Sequence, residues 1–347
     1  MAISDVRFAR AGEGWIGHRV LDGGHPQTVL FLPTLASNVD VVWEPSPMRQ
    51  FWERVGRFAN VIFFDRRGTG VSDGVPGRIA PTLDDWADDA LAVMSAVGVD
   101  RVTLVAQALG VAPAILFAAG RPDRVGSMVL IQGFARLTNA PGYDIGVPDS
   151  ASLPQRIVAS VEKSWGEGAS FFEVHPHLID DPVLREWIPR LERASLGRAA
   201  AARAYRTWLS IDVRDVVASV QAPTLVMQTI NRLSPVGAGR WLAENLQHAE
   251  LFERAFPSLD WWILEGQDEA VAELERFLTG TVSHPTIDER LLATVLFTDI
   301  IDSTRIASRV GDREWHRRLD DHDRIASTLI QFQRGRVVKS TGDGVMA

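Results

Sequence analysis

The turn at residues 106–110 is the part of this chain whose residue types most directly suggest chemistry. Residues 101–120 read RVTLVAQALGVAPAILFAAG, which is an apolar strand, a tight turn and an alanine-rich helix. In the G-x-S-x-G motif this context lifts a serine hydroxyl above a sheet, where it can attack a carbonyl carbon. The five motif positions are here Ala106, Gln107, Ala108, Leu109 and Gly110. Because a methyl group cannot attack a carbonyl, the sequence excludes a covalent acyl intermediate at Ala108.

The segments around this turn predict a mainly parallel sheet. Short apolar runs, typical of buried strands, alternate with helical patterns such as Leu83–Val97. The predicted strands are Val6–Arg10, Trp15–Val20, Thr28–Leu32, Val61–Phe64, Val102–Ala106, Ser127–Ile131, Thr224–Gln228 and Glu250–Arg254. This alternation favours an α/β fold whose sheet is covered by helices on both faces.

Two changes of pattern divide the chain further. Between roughly Leu137 and Asp212 the strand pattern disappears, which predicts a helical cap over the edge of the sheet where ligands of open α/β sheets bind. Near residue 280 the chain becomes polar, and a new apolar strand then begins at Leu291. We therefore predict a first domain at 1–280, a linker at 281–290 and a second segment at 291–347. That segment is predicted to contain the strands Leu291–Phe297 and Arg336–Lys339 with an amphipathic helix between them.

The composition is that of a globular protein. The 347 residues are 46% apolar and 23% charged, and the net charge of −8 argues against a nucleic-acid-binding surface. The absence of cysteine excludes disulfides and thiolate ligands. The first residues lack a secretory pattern, and Gln107, Gly110 and Pro113 interrupt the apolar stretch Val102–Gly120. We therefore expect a cytoplasmic protein with no membrane segment.

The first 280 residues resemble the α/β-hydrolase fold along almost their whole length. The matching segments are Phe31–Ser37 (FLPTLAS), Phe64–Asp73 (FDRRGTGVSD), the turn at Ala108 and Ala222–Val236 (APTLVMQTINRLSPV). The resemblance implies a serine nucleophile at the turn, an acid after the next-to-last strand and a histidine after the last strand. It also implies the helical cap.

Carried over by position, the three catalytic slots hold Ala108, Asn231 and Asp260. No histidine lies between His248, which precedes the last predicted strand, and His284 in the linker. Because the triad needs an imidazole to accept the nucleophile's proton, we predict that hydrolase activity is absent. Two alternatives stay open at this point. The turn could belong to another α/β protein, or Ser37, Ser72 or Ser234 could be the nucleophile.

A silent domain of this kind could still bind a small molecule. The predicted pocket residues are Leu35, Leu109, Trp261 and Trp262, and the backbone N–H of Leu109 is expected to survive as a donor to a ligand oxygen. The chain has 11 tryptophans, and ordinary core packing is the competing explanation for them. We expect an apolar or amphiphilic ligand and no cofactor for this domain.

Residues 291–347 resemble the start of class III adenylate cyclase catalytic domains. The matching segments are Val295–Arg305 (VLFTDIIDSTR) and Val337–Ala347 (VVKSTGDGVMA). The resemblance implies that Asp299, Asp343 and the carbonyl of Ile300 bind the Mg or Mn ions that hold ATP, and that Lys339 selects adenine. A plain hairpin turn is the alternative explanation of T-G-D-G. The later elements of that family would lie beyond Ala347, so we expect a partial (α+β) cyclase segment that makes no cyclic AMP.

Together the two resemblances point to proteins in which a hydrolase-like domain precedes an adenylate cyclase. The leading hypothesis is a catalytically silent domain that binds a small ligand and regulates a cyclase. A homodimer is implied because class III sites form between two chains. The alternatives are an active serine-type ester hydrolase with an unrecognised nucleophile, and a structural dimerisation module without a ligand.

Overall fold

The computed structural model describes residues 2–44, 46–74, 81–147, 153–230, 237–280, 296, 298–332, 339–340 and 344–346. The chain divides into two compact units, Met1–Ser283 and His284–Ala347. No helix among the described residues is both long enough and apolar enough to cross a bilayer.

The first unit is built on one mixed sheet. Its described strands are β1 (Ala2–Ile3), β2 (Arg7–Ala11), β3 (Gly14–Asp22), β4 (Thr28–Leu32), β5 (Asn60–Phe64), β6 (Val102–Gln107), β7 (Val125–Ile131), β8 (Thr224–Thr229) and β9 (Ala249–Arg254). Their order is β1-β3-β5-β4-β6-β7-β8-β9, and β2 pairs with β3. The strands from β5 to β9 in this order are parallel, whereas β3 is antiparallel to β5. The predicted strands are therefore confirmed, and the carboxyl ends of the parallel strands meet at one edge.

Helices cover both faces of this sheet. They are α1 (Pro47–Val55), α2 (Leu83–Val97), α3 (Val111–Gly120), α8 (Arg214–Val217), α9 (Ala238–Asn245) and α10 (Gln267–Thr279), while the four helices between α3 and α8 belong to the cap. The first and last residues of helix α2 follow from its capping residues. Thr82 and Asp85 cap its first turn reciprocally, and Gly98, at φ +81°, ends it in the left-handed conformation.

The core lies in two layers, one on each face of the sheet. Every residue of β6 is buried, and its side chains alternate between the layers: Leu104 lies in one and Val105 in the other. Ile115 of α3 packs in the first layer and Phe51 of α1 in the second. Strands buried on both faces are apolar at successive positions, which is why these runs could be recognised in the sequence.

The cap is helical, as the sequence predicts. It consists of α4 (Leu153–Ser164), α5 (Ala169–Val174), α6 (Pro182–Ser195) and α7 (Arg198–Leu209). A third buried cluster joins the cap to the edge of the sheet, because Leu35 and Leu109 pack there with Val161, Trp165 and Ala201. The cap therefore covers the turn at Ala108.

The second unit contains α11 (Ser303–Val310), α12 (Asp312–Phe332) and the antiparallel pair β10 (Lys339–Ser340) and β11 (Val345–Met346). Helix α12 covers the predicted amphipathic helix. Of the predicted strand at Leu291–Phe297 only Leu296 is described, and it is not in a strand. Of the predicted strand at Arg336–Lys339 only Lys339 is described. The predicted linker lies outside the described residues.

Candidate functional site

The turn at Ala108 has the backbone of a catalytic elbow. Ala108 has a φ of +46°, a conformation that residues other than glycine rarely adopt. Gly110 lets the turn approach β4 closely, because a Cβ added to it would lie 2.2 Å from the backbone oxygen of Leu32. The predicted strand–turn–helix is therefore present, with a methyl group at its tip.

A cavity of about 280 Å³ lies between this turn and the cap. Most of its lining is apolar and aromatic, with side chains from α6 and α7 on the cap side and Phe31 on the sheet side. The polar residues that line it are Thr34, Gln107, Gln132, Ser170, His175, Glu192, Tyr205 and Asp260. A few polar groups in an otherwise apolar enclosure are typical of a small-molecule site.

His175 is a buried histidine in this cavity. It follows α5 in the cap, is 1% exposed and stacks on Phe171 with ring centroids 4.3 Å apart. Its Nδ1 lies 3.1 Å from the backbone oxygen of Phe171. Because a carbonyl only accepts hydrogen bonds, Nδ1 must carry a proton, and in the neutral form of the ring the lone pair is therefore on Nε2. That Nε2 has no hydrogen-bond partner among the described residues.

Asp260 lies beside this base. Its Oδ2 is 3.6 Å from His175 Nε2, and its Oδ1 accepts a 2.6 Å hydrogen bond from Gln107 Nε2. Burial raises the pKa of Asp260, and the charge of a protonated His175 opposes that shift. The carboxylate is thus placed to stabilise an imidazolium formed at His175.

Tyr205 and Glu192 have different roles. Burial, together with the negative charges of Glu192 and Asp260, raises the pKa of Tyr205, so its phenol remains a proton donor. Glu192 instead accepts hydrogen bonds from the N–H groups of Gly166 and Gly168 and from the hydroxyl of Ser170, at 2.7–2.9 Å. Glu192 therefore holds the start of α5 in place.

Backbone N–H groups at the turn can stabilise a negative charge that develops on a ligand oxygen. Leu109 lies in the first turn of the helical segment after β6, where N–H groups have no acceptor within the helix. The opposing loop is held by Arg66, whose Nη2 donates to the oxygen of Thr34 at 2.8 Å and to that of Leu35 at 3.3 Å. The side chains of Leu35 and Leu109 pack into the third buried cluster rather than line the cavity, which corrects the prediction for them.

The two tryptophans predicted for the pocket also lie elsewhere. Trp262 packs against Phe51 with ring centroids 4.7 Å apart, and Trp261 stacks on Phe256 at the same distance. Neither lines the cavity, and both are 0% exposed. The prediction is corrected because both rings are buried in the core layer that also contains residues of α1 and α10. Their neighbour Asp260 borders the cavity instead.

The serines considered as replacement nucleophiles are engaged elsewhere. Ser37 donates to the carboxylate of Asp65 and Ser72 to its backbone oxygen, and neither lines the cavity. Ser234 and the predicted acid position Asn231 lie outside the described residues. Among the described serines only Ser170 lines the cavity, and its hydroxyl is bound to Glu192.

The sequence analysis did not consider a histidine from the cap as a candidate base. The sequence was searched for a histidine after β9, but the structure supplies His175 from the cap, 85 positions before Asp260 in the chain by their numbers. Gln132 and Tyr205 were also missed. The available signal was the rarity of histidine, since only 8 occur in the chain and two of these, His175 and His177, lie in the predicted cap.

The residues predicted to bind metal and nucleotide do not form a described site. Asp299 and Ile300 lie in an irregular segment before α11, Lys339 lies in β10, and Asp343 is outside the described residues. The described residues contain no group of three or more histidine, aspartate or glutamate side chains arranged to hold a metal ion.

Comparison with known proteins points to hydrolases. Residues 27–158 match the family model described as alpha/beta hydrolase fold. A RutD protein of Azorhizobium caulinodans, whose name describes a carbamate hydrolase, is 27% identical over 221 residues, 61% of this chain and 78% of that protein. The RutD protein of Caulobacter segnis is matched over 28% of its own length.

Solved structures agree on the fold. An esterase from Exiguobacterium antarcticum superposes with a TM-score of 0.65 at 17% identity, covering 78% of this chain and 98% of the esterase. An enol-lactonase from Burkholderia xenovorans LB400 gives 0.62 at 19% identity, covering 79% and 100%.

These findings correct the leading hypothesis of the sequence analysis. The relatives and structures are named as a carbamate hydrolase, an esterase and an enol-lactonase, and none of these matches supports a cyclase segment. The interpretation as a catalytically silent regulatory domain of an adenylate cyclase is therefore wrong, and these matches give no support to the metal ions expected for a complete cyclase domain. The alternative of an active hydrolase fits the comparisons better.

Proposed function

We propose that this chain, whose fold is that of the α/β hydrolases, hydrolyses a small and largely apolar ester, lactone or carbamate by direct attack of water. The observation that carries the proposal is the position of His175. Its free Nε2 lies in the cavity over the elbow, 3.6 Å from the carboxylate of Asp260. The names of the relatives support the reaction class.

The missing serine defines where the water would act. In a serine hydrolase the nucleophilic oxygen is carried on the residue that is here Ala108, whose methyl group leaves that space open. A substrate carbonyl near Ala108 would lie close to the N–H of Leu109, which can stabilise the oxyanion of a tetrahedral intermediate. Tyr205 supplies a second proton donor in the same cavity.

The proton transfers involve His175, the attacking water and Asp260. As water adds to the carbonyl carbon, Nε2 accepts one of its protons, and the new positive charge is stabilised by Asp260. When the intermediate collapses, the imidazolium returns this proton to the leaving oxygen or nitrogen. The products are the acid and the alcohol or amine, and no acyl-enzyme is formed.

The test is the hydrolysis of short-chain and medium-chain p-nitrophenyl esters and phenyl carbamates. We expect His175→Asn to lower kcat/KM by about 10²–10⁴-fold, the usual contribution of a general base. His248→Asn is the matched control. His248 is exposed and precedes the amino end of β9, whereas the cavity lies at the carboxyl ends of the strands. It should leave turnover unchanged.

Two results would overturn the proposal. One is the absence of any turnover above the buffer rate across the panel, or turnover that His175→Asn leaves intact. The other is labelling by a fluorophosphonate probe that also stops turnover, because this would reveal an activated serine that the mechanism excludes.

A further inference from the structure

We infer that Gln107 and Gln132 form a paired amide reader that selects ligands carrying a hydrogen-bond donor next to a carbonyl oxygen, as primary amides and N-unsubstituted carbamates do. As a statement about substrate, this inference rests on the proposed function. As a statement about binding, it can be tested without turnover.

The two glutamines lie side by side at the carboxyl edge of the sheet. Gln107 is the last residue of β6, and it is paired in register with Ile131, the last residue of the parallel strand β7. Gln132 follows directly. Both side chains line the cavity, and the two residues are 4% and 7% exposed.

The orientation of each amide is set by its partner. Gln107 faces the carboxylate of Asp260, which accepts at 2.6 Å, so its NH₂ group points there and its Oε1 is left over. Gln132 faces the backbone N–H of Thr229, which donates at 2.6 Å, so its Oε1 points there and its Nε2 is left over. Swapping oxygen and nitrogen in either amide would place like groups against each other.

The two leftover atoms are complementary to a single ligand group. Gln107 Oε1 can only accept, Gln132 Nε2 can only donate, and neither has a hydrogen-bond partner among the described residues. Buried polar atoms are costly without partners, so a ligand that satisfies both is favoured over one that satisfies a single atom.

The backbone at Gln132 is a second, independent observation. Its φ is +53°, an unfavourable conformation for a residue with a Cβ. Strain of this kind concentrates at sites that bind or react. Here it accompanies a side chain that presents its free N–H group to the cavity.

The test compares benzamide with acetophenone, which have nearly the same shape. Both offer a carbonyl oxygen, but acetophenone has a methyl group where benzamide has NH₂. By calorimetry or ligand-observed NMR we expect the Kd of benzamide to be lower by about 10-fold or more, because a buried acceptor is left unpaired by the ketone.

The variants separate the two glutamines. Gln107→Met removes the acceptor and should bring the two Kd values together. Gln132→Met removes the donor to the carbonyl and should weaken both compounds by a similar factor. Gln247→Met is the control, because Gln247 is exposed and contacts Ala218 rather than the cavity. Circular dichroism checks that each variant is folded.

The inference is overturned if the native protein binds both compounds equally, if neither binds at millimolar concentration, or if Gln107→Met preserves the preference. The binding test gives its result whether or not the protein is a catalyst. A preference for benzamide without ester or carbamate turnover would reject the proposed function and leave the amide reader standing. Turnover that depends on His175 without a preference would do the reverse.

Discussion

At the scale of single residues, the site combines an elbow that carries no nucleophile with His175, the base that we propose. Ala108 keeps the strained elbow conformation that a serine would need, and His175 enters the same cavity from the cap. A serine placed at Ala108 would therefore show whether His175 can reach the tip of the elbow.

We expect Ala108→Ser to acquire covalent chemistry. Serine can occupy the same backbone position because it adds only a hydroxyl to the existing Cβ, and His175 would then accept its proton. A p-nitrophenyl ester should give a burst of about one product per chain, and a fluorophosphonate should label the variant. The native protein should show neither.

Ala108→Gly and the double variant Ala108→Ser/His175→Asn are the controls. Glycine tolerates the positive φ and brings no hydroxyl, so it should not be labelled. The double variant has the hydroxyl without the base. Labelling of the double variant as fast as the single one would show that His175 does not serve the elbow.

The sequence predicted part of this site, and the reason is physical. The elbow is a local pattern of consecutive residues, so Ala108 could be placed from the sequence, and Asp260 was placed from its position after β9. The pairing of His175 with Asp260 depends on how the cap folds over the sheet, and no local pattern encodes it. The same holds for the amides, whose significance lies in atoms left unpaired in three dimensions.

At the scale of elements, the loop between β5 and α2 is organised by one buried carboxyl group. Asp65 follows β5 and accepts hydrogen bonds at 3.0–3.2 Å from the N–H groups of Val39 and Val71 and from the hydroxyl of Ser37. Burial nevertheless dominates and raises the pKa of Asp65 from 3.8 to about 6. Asp65 therefore ties together the loops after β4 and β5.

This shift predicts a dependence of stability on pH. Because the folded state holds the proton more tightly than the unfolded state, the contribution is fully present below pH 3.8 and is lost as the pH rises through about 6. A shift of this size corresponds to at most about 3 kcal/mol in the free energy of unfolding. Urea unfolding at a series of pH values between these limits measures it.

Asp65→Asn provides the comparison. The amide cannot titrate in this range. The unfolding free energy of the native protein minus that of the variant should therefore decrease as the pH rises through that window. Taking the difference cancels the other acidic groups, which titrate in both proteins. A difference that stays constant with pH would show that Asp65 has an ordinary pKa.

The elements themselves were predictable to within one or two residues at most ends. Strands such as β6 are buried on both faces and so are continuous apolar runs, and α2 carries its own start and stop residues. The placement of Trp261 and Trp262 was not predictable in the same way. A tryptophan beside a predicted cavity can face it or the core, and here α1 and α10 offered the larger apolar surface.

At the scale of the whole molecule, the residues of the proposed site belong to one unit. Every described residue that lines the cavity lies between Phe31 and Leu264, inside the unit Met1–Ser283. Helix α10 follows these residues and buries Ala270 and Leu274 in the same unit. The homodimer suggested by the resemblance of residues 291–347 stays a prediction.

We therefore expect a chain ended after Ser283 to keep the activity of the full chain. Its kcat/KM on the best ester or carbamate should be unchanged within about 2-fold, since a larger change would mean that a contact to the reacting groups had been lost. Its melting temperature should lie within about 2 °C of the main transition of the full chain, because the core layers and the cap are all retained. Calorimetry of both chains measures the second quantity. A shortened chain that folds to the same melting temperature but loses turnover would place part of the catalytic machinery in residues 284–347, and it would contradict the assignment of the site to the first unit.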